Sequence, residues 1–208
     1  MSTGDTAHVM RFLQQENARL KDEKQLLTDE VHALRRYVRA LQRLQETVHS
    51  FTPEQDLLAL LDETMACALA LVDAADGSLM LIDEETDELV FVLVHGAVRG
   101  TLTGHRFDRR LGIAGWVAEH AEPALVSNVR ADGRFLSEMD ERFGFVTRSL
   151  VAVPLVVRGK VLGVIEVLNK RSGGDFTEDD ASLLSILAAL SASALDYAAS
   201  TPETEERT

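Results

Sequence analysis

Cysteine is nearly absent from this chain of 208 residues, since Cys67 is its only one. A single thiol can build neither a disulfide framework nor a cysteine-rich metal site within one chain. The N-terminus lacks the apolar core of a secretory signal peptide. The longest apolar stretch, LLALLDETMACALALV, is interrupted by Asp62 and Glu63, so no membrane span is expected there. These absences predict a protein of the reducing cytoplasm.

Basic residues are also scarce relative to acidic ones. The chain has 21 Lys and Arg against 34 Asp and Glu, a formal net charge of -13 at pH 7. Residues 1–52 are nearly balanced, with 8 basic and 7 acidic residues, whereas the remainder has 13 basic and 27 acidic residues. A phosphate backbone would repel this acidic remainder, which argues against nucleic-acid binding by it.

A seven-residue repeat runs through the N-terminal segment, where neither proline nor glycine occurs between Asp5 and Thr52. The d positions are Leu13, Leu20, Leu27, Leu34, Leu41 and Val48. The a positions are Met10, Asn17, Lys24, Val31, Val38 and Gln45. A strict repeat of seven predicts a left-handed coiled coil.

The polar core positions of this repeat predict a parallel homodimer. Asn17 can pair with its counterpart in a second chain, and Lys24 disfavours higher oligomers. Ion pairs between the two helices are expected at Glu16–Lys21 and Glu30–Arg35. The residues expected at the dimer interface are Leu13, Asn17, Leu20, Lys24, Leu27, Val31, Leu34, Val38 and Leu41.

The repeat is compatible with one other interpretation and excludes a second. A single amphipathic helix packed on its own domain remains an alternative to the dimer. A DNA-binding basic zipper is excluded, because such proteins need a basic helix before the zipper and no Lys or Arg precedes Met10.

A capped helix is predicted at the start of the globular part. Thr52 is placed as its N-cap, Pro53 takes its first position and Gln55 completes a capping box. The helix is expected to run to about Val72, and the Asp-Gly pair at 76–77 is expected to break it. Strands are then predicted at 78–83, 89–95, 124–129, 149–157 and 160–170, with short helices within 111–123 and 136–144.

The C-terminal elements carry the clearest local signals. Arg158 and Gly159 form a two-residue connection typical of a tight hairpin. The last helix should begin at Thr177, with Asp180 as its reciprocal cap. Its buried face is predicted to consist of Leu183, Leu187, Leu190 and Ala194.

Terminal helices with an antiparallel sheet between them indicate an α+β layered fold. Both helices should pack on one face of the sheet, and residues 99–145 should roof the other face and leave a small-molecule pocket. The expected organisation is a coiled-coil helix at 1–51, a globular domain at 52–199 and a disordered acidic tail at 200–208.

The stretches GIAGWVAEHAEPALVSNV, RSLVAVPLVVRGKVLGVIEVLNK and FTEDD occur in one order and spacing. In this they resemble the GAF domain, a small-molecule sensor module of cyclic-nucleotide phosphodiesterases, phytochromes and many bacterial signalling proteins. The resemblance covers about residues 52–199. It implies the GAF fold and a regulatory role.

A motif of nucleotide-binding GAF domains, Asn-Lys followed by Phe-x-x-x-Asp-Glu, is matched by Asn169, Lys170, Phe176 and Asp180. Ala181 stands where the family has the final Glu. The resemblance implies a salt bridge between the lysine and the aspartate that ties the last strand to the last helix. Whether the motif also contacts a ligand or only braces the fold is left open.

Candidate ligand contacts come from the strands and the roof. They are Ser78, Met80, Trp116, Asn128, Asp132, Phe135, Ser149 and Glu166. The residues 99–110 hold four arginines and a histidine, and form either a solvated loop or edge strand or a source of cations. The arginines that could neutralise a phosphate are Arg106, Arg109 and Arg148.

Specific chemistries known in this family find little support in the sequence. A bilin needs a cysteine near the pocket, whereas Cys67 lies in the first helix of the domain. The GAF-type methionine sulfoxide reductases need several cysteines. Candidate haem ligands would be His95, His105 and His120, but a lone histidine is usually an ordinary surface or core residue. No catalytic triad, phosphate loop or metal-ligand spacing stands out, so no enzyme activity and no metal are expected.

The sequence therefore predicts a cytoplasmic regulatory homodimer whose GAF domain senses a small ligand, with a cyclic nucleotide as one candidate. A separate signalling protein would supply the output, and neither nucleic acid nor a membrane is expected as a partner. The alternative is a ligand-free GAF adaptor that docks a partner protein. A cavity lined by Ser149, Glu166 and an arginine would favour the sensor, and large apolar residues filling the space under Trp116 would favour the adaptor.

Overall fold

The computed structural model describes residues 10–28, 31, 34, 35, 38 and 57–200. The chain divides into two compact units, Met1–Gln45 and Glu46–Thr208. The predicted boundary at 51/52, the predicted N-cap of the first domain helix and residues 201–208 lie outside the described part.

The N-terminal unit is helical wherever it is described. Helix α1 covers residues 10–28, and residues 31, 34, 35 and 38 are also in helical conformation. The apolar a and d side chains are 43–57% exposed, namely Met10, Leu13, Leu20, Leu27, Val31, Leu34 and Val38. An open apolar stripe at heptad spacing is what association with a second helix requires. Leu41 lies outside the described residues, and the homodimer stays a prediction.

The second unit alternates helices and strands. Its first elements are α2 (Leu57–Leu71), β1 (Ala74–Asp83), β2 (Glu88–His95), α3 (Arg99–Leu102), β3 (Arg106–Asp108) and α4 (Gly112–His120). They are followed by β4 (Ala124–Val126), a 3-10 turn (Val129–Ala131), α5 (Ser137–Phe143), β5 (Leu150–Val157), β6 (Lys160–Lys170) and α6 (Glu178–Ser200).

The six strands form one antiparallel sheet in the order β3-β2-β1-β6-β5-β4. At its centre Ser78 of β1 lies opposite Glu166 of β6. Ala152 of β5 lies opposite Glu166 on the other side. Because directly opposed residues share a face, these three side chains point to the same side of the sheet.

Glycines fix the β5–β6 hairpin and its approach to β1. Arg158 and Gly159 have φ values of 49° and 79°, the pair of positive angles that a type I′ turn requires. At Gly163 an added Cβ would lie 2.0 Å from the carbonyl oxygen of Met80. Only glycine therefore lets the two central strands approach so closely at this point.

The two long helices of this unit cover one face of the sheet. They contact each other, α2 packs on β1, and α6 packs on β5. Leu61 and Met65 of α2, with Leu184 and Leu187 of α6, are at most 2% exposed. Burying each such side chain contributes about 1.5–3 kcal/mol.

The opposite face carries a second hydrophobic core. Met80 and Val164 from the central strands pack in one cluster with Val117 of α4 and Val129 of the 3-10 turn. Helix α4 contacts β5 and β6 from this side. The predicted α+β layered fold is thus observed, with the terminal helices of the domain on one face and short elements roofing the other.

The predicted break at the Asp-Gly pair is wrong. The chain leaves α2 at Leu71 and enters β1 at Ala74, so Gly77 lies inside the strand. Asp73, with a φ of 56°, makes the change of direction instead. Gly77 is required by packing, because a Cβ there would lie 2.9 Å from the carbonyl oxygen of Glu166.

The predicted buried face of α6 is also partly wrong. Leu187 is buried as expected, but Leu190 is 42% exposed, and Leu183 and Ala194 are half-buried. The buried residues are Asp180, Ala181, Leu184, Leu187, Ala188, Ser191 and Ala192. Small residues on this face let the helix lie close to β5. A prediction that assigns the largest apolar side chains to the buried face therefore selects the wrong side of the helix.

Among the described helices, α6 has the length and apolarity of a membrane span, with a mean hydropathy of 1.5. Its contacts are with β5 and α2 of its own domain. This is the packing of a helix that covers one face of a sheet.

Candidate functional site

A cavity of about 110 Å³ lies between the sheet and its roof. Side chains of β1, β2 and β6 form its floor, while α3, the start of α4, and α5 with the loop that follows it form its walls. The pocket occupies the place that the sequence predicts for it. Clefts of this kind are the usual form of small-molecule sites.

The pocket lining is mostly apolar and unusually aromatic. Five phenylalanines line it, namely Phe91, Phe107, Phe135, Phe143 and Phe145. The rings of Phe91 and Phe107 have centroids 5.5 Å apart, within the range of favourable aromatic pairs. Such walls favour a ligand with an apolar or aromatic body.

Glu166 places a carboxyl on the floor of this apolar cavity. It is half-buried, and the surface that it retains lines the pocket. Its carboxyl forms no hydrogen bond or ion pair with any residue of the described chain. Burial raises the pKa of Glu166 to about 7, because a charged carboxylate is poorly solvated there.

Asp140 also lines the pocket, but its carboxylate is fully engaged. It is only 6% exposed. Thr147 donates to it from its main-chain nitrogen at 2.8 Å and from its hydroxyl at 2.7 Å. Arg130 donates to it at 2.7 Å. Asp140 therefore fastens α5 to the segment that leads into β5 and holds one wall of the pocket.

The pocket lining is tied to neighbouring elements at the end of β2. His95 lines the pocket, and its Nε2 lies 2.9 Å from Oδ1 of Asp62 on α2. The main-chain nitrogen of Ala97 donates to Asp76 at 3.1 Å. His95 thus contacts the pocket and α2 at the same time.

Four of the predicted ligand contacts line the pocket, namely Ser78, Met80, Phe135 and Glu166. The other seven lie outside its lining, namely Arg106, Arg109, Trp116, Asn128, Asp132, Arg148 and Ser149. As ligand contacts, all eleven stay predictions.

The predicted arginines are held at the sheet edge or lie exposed. Arg106 pairs with Asp83, and its hydrogen bond holds the pKa of Asp83 below the usual value. Arg109 Nε lies 3.0 Å from Asp87. The side chain of Arg148 is exposed. The carboxylate partners of Arg106 and Arg109 belong to the β1–β2 hairpin, which explains why these two cations do not turn inward.

Three further predicted contacts, Trp116, Asn128 and Asp132, have structural partners in the roof. Trp116 stacks on His120 with ring centroids 4.5 Å apart, and the guanidinium of Arg134 lies 4.5 Å from the Trp116 ring. Asp132 pairs with Arg134 at 2.7 Å. Asn128 accepts a hydrogen bond from the main chain of Arg130 and caps the 3-10 turn.

The Asn-Lys motif connects three parts of the fold. Lys170 Nζ lies 2.6 Å from Asp180 Oδ2, and the same ammonium lies 5.6 Å from the ring centroid of buried Phe176. Asn169, with a φ of 56°, accepts from the main-chain nitrogen of Arg148 and donates to the carbonyl of Val146. Asn tolerates this left-handed conformation better than most residues. These contacts brace the end of β6, and none of the four motif residues lines the pocket.

For several residues that line the pocket, no local sequence pattern predicts that position. Asp140, Asp76 and four of the five phenylalanines are not among the predicted ligand contacts, and His95 is predicted only as a candidate haem ligand. The partners of Asp140 are 7 and 10 residues away along the chain, a spacing typical of no local motif. Within the described residues, no group of three or more His, Cys, Asp and Glu side chains could hold a metal ion.

A sheet covered by helices on one face and roofed over a pocket on the other defines a class of small-molecule-binding regulatory domain. Residues 56–195 match the family model of the GAF domain, and the chain belongs to this family. GAF domains are regulatory, ligand-binding domains.

Two curated relatives are cyclic-nucleotide phosphodiesterases. "Probable 3',5'-cyclic phosphodiesterase pde-5" of Caenorhabditis elegans is 34% identical over 149 residues, which cover 67% of this chain and 20% of that protein. "Dual 3',5'-cyclic-AMP and -GMP phosphodiesterase 11A" of Takifugu rubripes is 31% identical over 149 residues, which cover 67% of this chain and 16% of that protein. The chain therefore spans a fifth or less of the length of these relatives, and the matches cover only their GAF part.

Solved structures show the same fold. The GAF domain of a phosphoenolpyruvate-protein phosphotransferase from Coxiella burnetii has a TM-score of 0.70 and 18% identity, covering 80% of this chain and 96% of that one. The GAF domain of the Acinetobacter phosphoenolpyruvate-protein phosphotransferase has a TM-score of 0.64 and 23% identity, covering 81% and 98%.

Proposed function

We propose that this protein is a cytoplasmic signalling homodimer in which each GAF domain senses a small ligand and a separate protein carries out the response. The observation that carries the proposal is the cavity of about 110 Å³ with the unpaired Glu166 on its floor. An apolar cavity that converges on one polar group is typical of a binding site. The heptad stripe of α1 supports the dimer.

The contact between His95 and Asp62 supports a path for the signal. His95 lines the pocket, and its partner lies on α2, which packs on the opposite face of the sheet. A ligand that displaces the His95 ring would break or strengthen this contact. Occupancy of the pocket would thereby reach a helix on the far side of the sheet.

Cyclic nucleotides belong in the panel of ligands to test, because the two curated relatives are cyclic-nucleotide phosphodiesterases. Native mass spectrometry of the full chain would report oligomer mass and any retained small molecule together. We expect a dimer of twice 22.9 kDa. A ligand that binds should also raise the unfolding temperature. A monomer that retains nothing, and that no small molecule in a broad panel stabilises, would contradict the proposal.

A ligand-free adaptor is the second candidate, and exposed apolar side chains on α6 favour it. Ile186 is 56% exposed and Tyr197 is 52% exposed. Filling the cavity with Ala114→Phe distinguishes the two roles, since Ala114 lines the pocket. An adaptor would keep its partner affinity with the cavity filled, whereas a sensor would lose its response to ligand.

A further inference from the structure

The size of the pocket limits what can enter it. A cavity of about 110 Å³ is below the range of about 300–1,000 Å³ that is usual for drug-sized ligands. An engineered apolar cavity of about 150 Å³ in another protein binds benzene. The pocket as built therefore fits one aromatic ring, and a nucleotide would require it to widen.

The charge of the lining limits the ligand further. Its ionisable residues are Asp76, His95, Asp140 and Glu166, and no Lys or Arg of the described chain is among the lining residues. Two guanidinium groups lie behind lining rings, that of Arg130 at 5.1 Å from the centroid of Phe135 and that of Arg142 at 5.6 Å from the centroid of Phe143. Arg130 is already paired with Asp140, so an anion in this pocket would lose its hydration and meet the unpaired carboxyl of Glu166 without a lining Lys or Arg to replace its water.

The carboxyl groups that line the pocket differ in how many hydrogen-bond partners they have within the protein. Asp140 is satisfied by Thr147 and Arg130. Asp76 accepts the main-chain N–H of Ala97. Glu166 has no partner among the described residues, and it lies on a central strand at the floor of the pocket. A donor brought by a ligand would satisfy a polar group that the protein leaves unsatisfied.

We propose that the pocket binds a single-ring aromatic compound without negative charge, whose amine or other N–H group donates a hydrogen bond to the Glu166 carboxyl. This inference rests on the proposed sensing role and names its ligand class. The phenylalanine walls hold the ring, and Glu166 discriminates by charge and by hydrogen-bond donors. Anionic cyclic nucleotides are disfavoured by the same features.

Three probes with the same ring test the proposal on the full chain. Benzylamine is cationic, benzyl alcohol is neutral and phenylacetate is anionic. Dissociation constants come from NMR titration, with the shifts of pocket methyl and aromatic groups as the readout, because a chain of net charge -13 attracts cations elsewhere too. We expect benzylamine to bind at least about tenfold more tightly than phenylacetate, because its ammonium group can donate a hydrogen bond to the Glu166 carboxyl and the carboxylate of phenylacetate cannot.

Matched variants assign the preference to one residue. Glu166→Gln should weaken benzylamine about tenfold and leave benzyl alcohol within about twofold. Glu85→Gln removes the same charge from the exposed β1–β2 turn and should change none of the three constants. The order of the probes on the unmodified protein tests the proposal independently of how either variant folds.

The proposal is overturned if phenylacetate, cyclic AMP or cyclic GMP binds the pocket more tightly than benzylamine, if benzylamine shows no saturable binding there, or if Glu166→Gln folds and keeps the full preference. Binding of a cyclic nucleotide without benzylamine would overturn the ligand class and leave the sensing role intact. The sensing role itself is decided by native mass spectrometry and by the broad stability panel.

Discussion

Lys170 and Asp180 form a largely buried ion pair, with Nζ 2.6 Å from Oδ2 and side chains 17% and 8% exposed. Asp180 also accepts hydrogen bonds from the main-chain nitrogen and the hydroxyl of Thr177, and its own nitrogen donates to that hydroxyl. One carboxylate therefore caps the last helix and anchors the last strand to it.

Breaking this pair should destabilise the domain. Lys170→Ala leaves a buried carboxylate with only its capping bonds, and should cost on the order of 1–3 kcal/mol of unfolding free energy. Asp180→Ala should cost at least as much, because the cap is lost too. The double variant should cost less than the sum, since the two residues share one interaction. Urea unfolding measures all three.

The exposed pair between Lys160 and Glu84 provides a control for this cycle, with side chains 59% and 65% exposed. Lys160→Ala should cost no more than about 1 kcal/mol, because exposed pairs contribute little. Strictly additive losses at Lys170 and Asp180 would show that the pair does not form in solution.

The stability of the domain should depend on the protonation of Glu166. Its folded pKa of about 7 is above its usual value of 4.5. Between pH 4.5 and pH 7 the Glu166 carboxyl is protonated in the folded state and ionised in the unfolded state. The stability that comes from this proton is therefore complete below about pH 4.5 and is lost as pH rises through 7. The advantage of Glu166→Gln over the unmodified protein should therefore grow from pH 5 to pH 8, by on the order of 2–3 kcal/mol.

Urea unfolding at pH 5, 6, 7 and 8 tests this dependence. Asp76, His95 and Asp140 face the same pocket, and burial lowers the pKa of His105. All four groups are present in the unmodified protein and in Glu166→Gln, so the difference between their unfolding free energies at each pH reports on Glu166 alone. Glu85→Gln should give a difference that is flat with pH. A flat difference for Glu166→Gln as well would show that the carboxyl is solvated or paired.

Asp140 should be a stability determinant of the pocket wall. Asp140→Ala leaves the buried main-chain N–H and hydroxyl of Thr147 without acceptors, and should cost about 2–4 kcal/mol. Asp140→Asn keeps an acceptor oxygen and should cost less. Glu141→Ala changes an exposed neighbour on the same helix and serves as the control. Equal unfolding temperatures for Asp140→Ala and Glu141→Ala would mean that the three hydrogen bonds contribute nothing.

The heptad stripe of α1 should set the oligomeric state. Leu20→Lys with Leu27→Lys places two charges in the predicted seam and should give monomers in sedimentation velocity, because charged residues at d positions are poorly tolerated. Gln15→Lys with Ala18→Lys adds the same charge on the outer face of the helix and should leave a dimer. A dimer that survives the seam substitutions would place the association elsewhere in the chain.

Elements with local signals were predictable from the sequence. The Arg158-Gly159 turn and the Thr177–Asp180 cap each depend on residues within four positions of one another, and both form as predicted. The buried face of α6 was not predictable from leucine spacing, because close packing on β5 selects small residues such as Ala188 and Ala192. Tertiary packing overrides the size of the apolar side chain there.

The residues of the candidate site also divide into those that a local sequence pattern predicts and those that depend on tertiary packing. Ser78 and Glu166 could be placed because strand alternation and pairing fix which face they share. The predicted arginines could not, since their long side chains reach carboxylates of a neighbouring hairpin that the local sequence does not identify. The Asp140 contacts join segments whose proximity depends on how the whole roof folds.

Pro154 affects how the exposed edge of β5 can pair with a strand of another molecule. It lies in β5, opposite Val164 of β6. On its other side β5 pairs with the short strand β4 at only three residues, 150–152. Pro154 lies beyond them, where no described strand covers this edge of β5. A proline fits in a strand where its missing N–H would point outward, so an approaching strand finds no donor there. In the proposed dimer, the helices would hold two such sheets at high local concentration. The proline then hinders the sheets from joining edge to edge, and so protects a tethered pair of domains from aggregation.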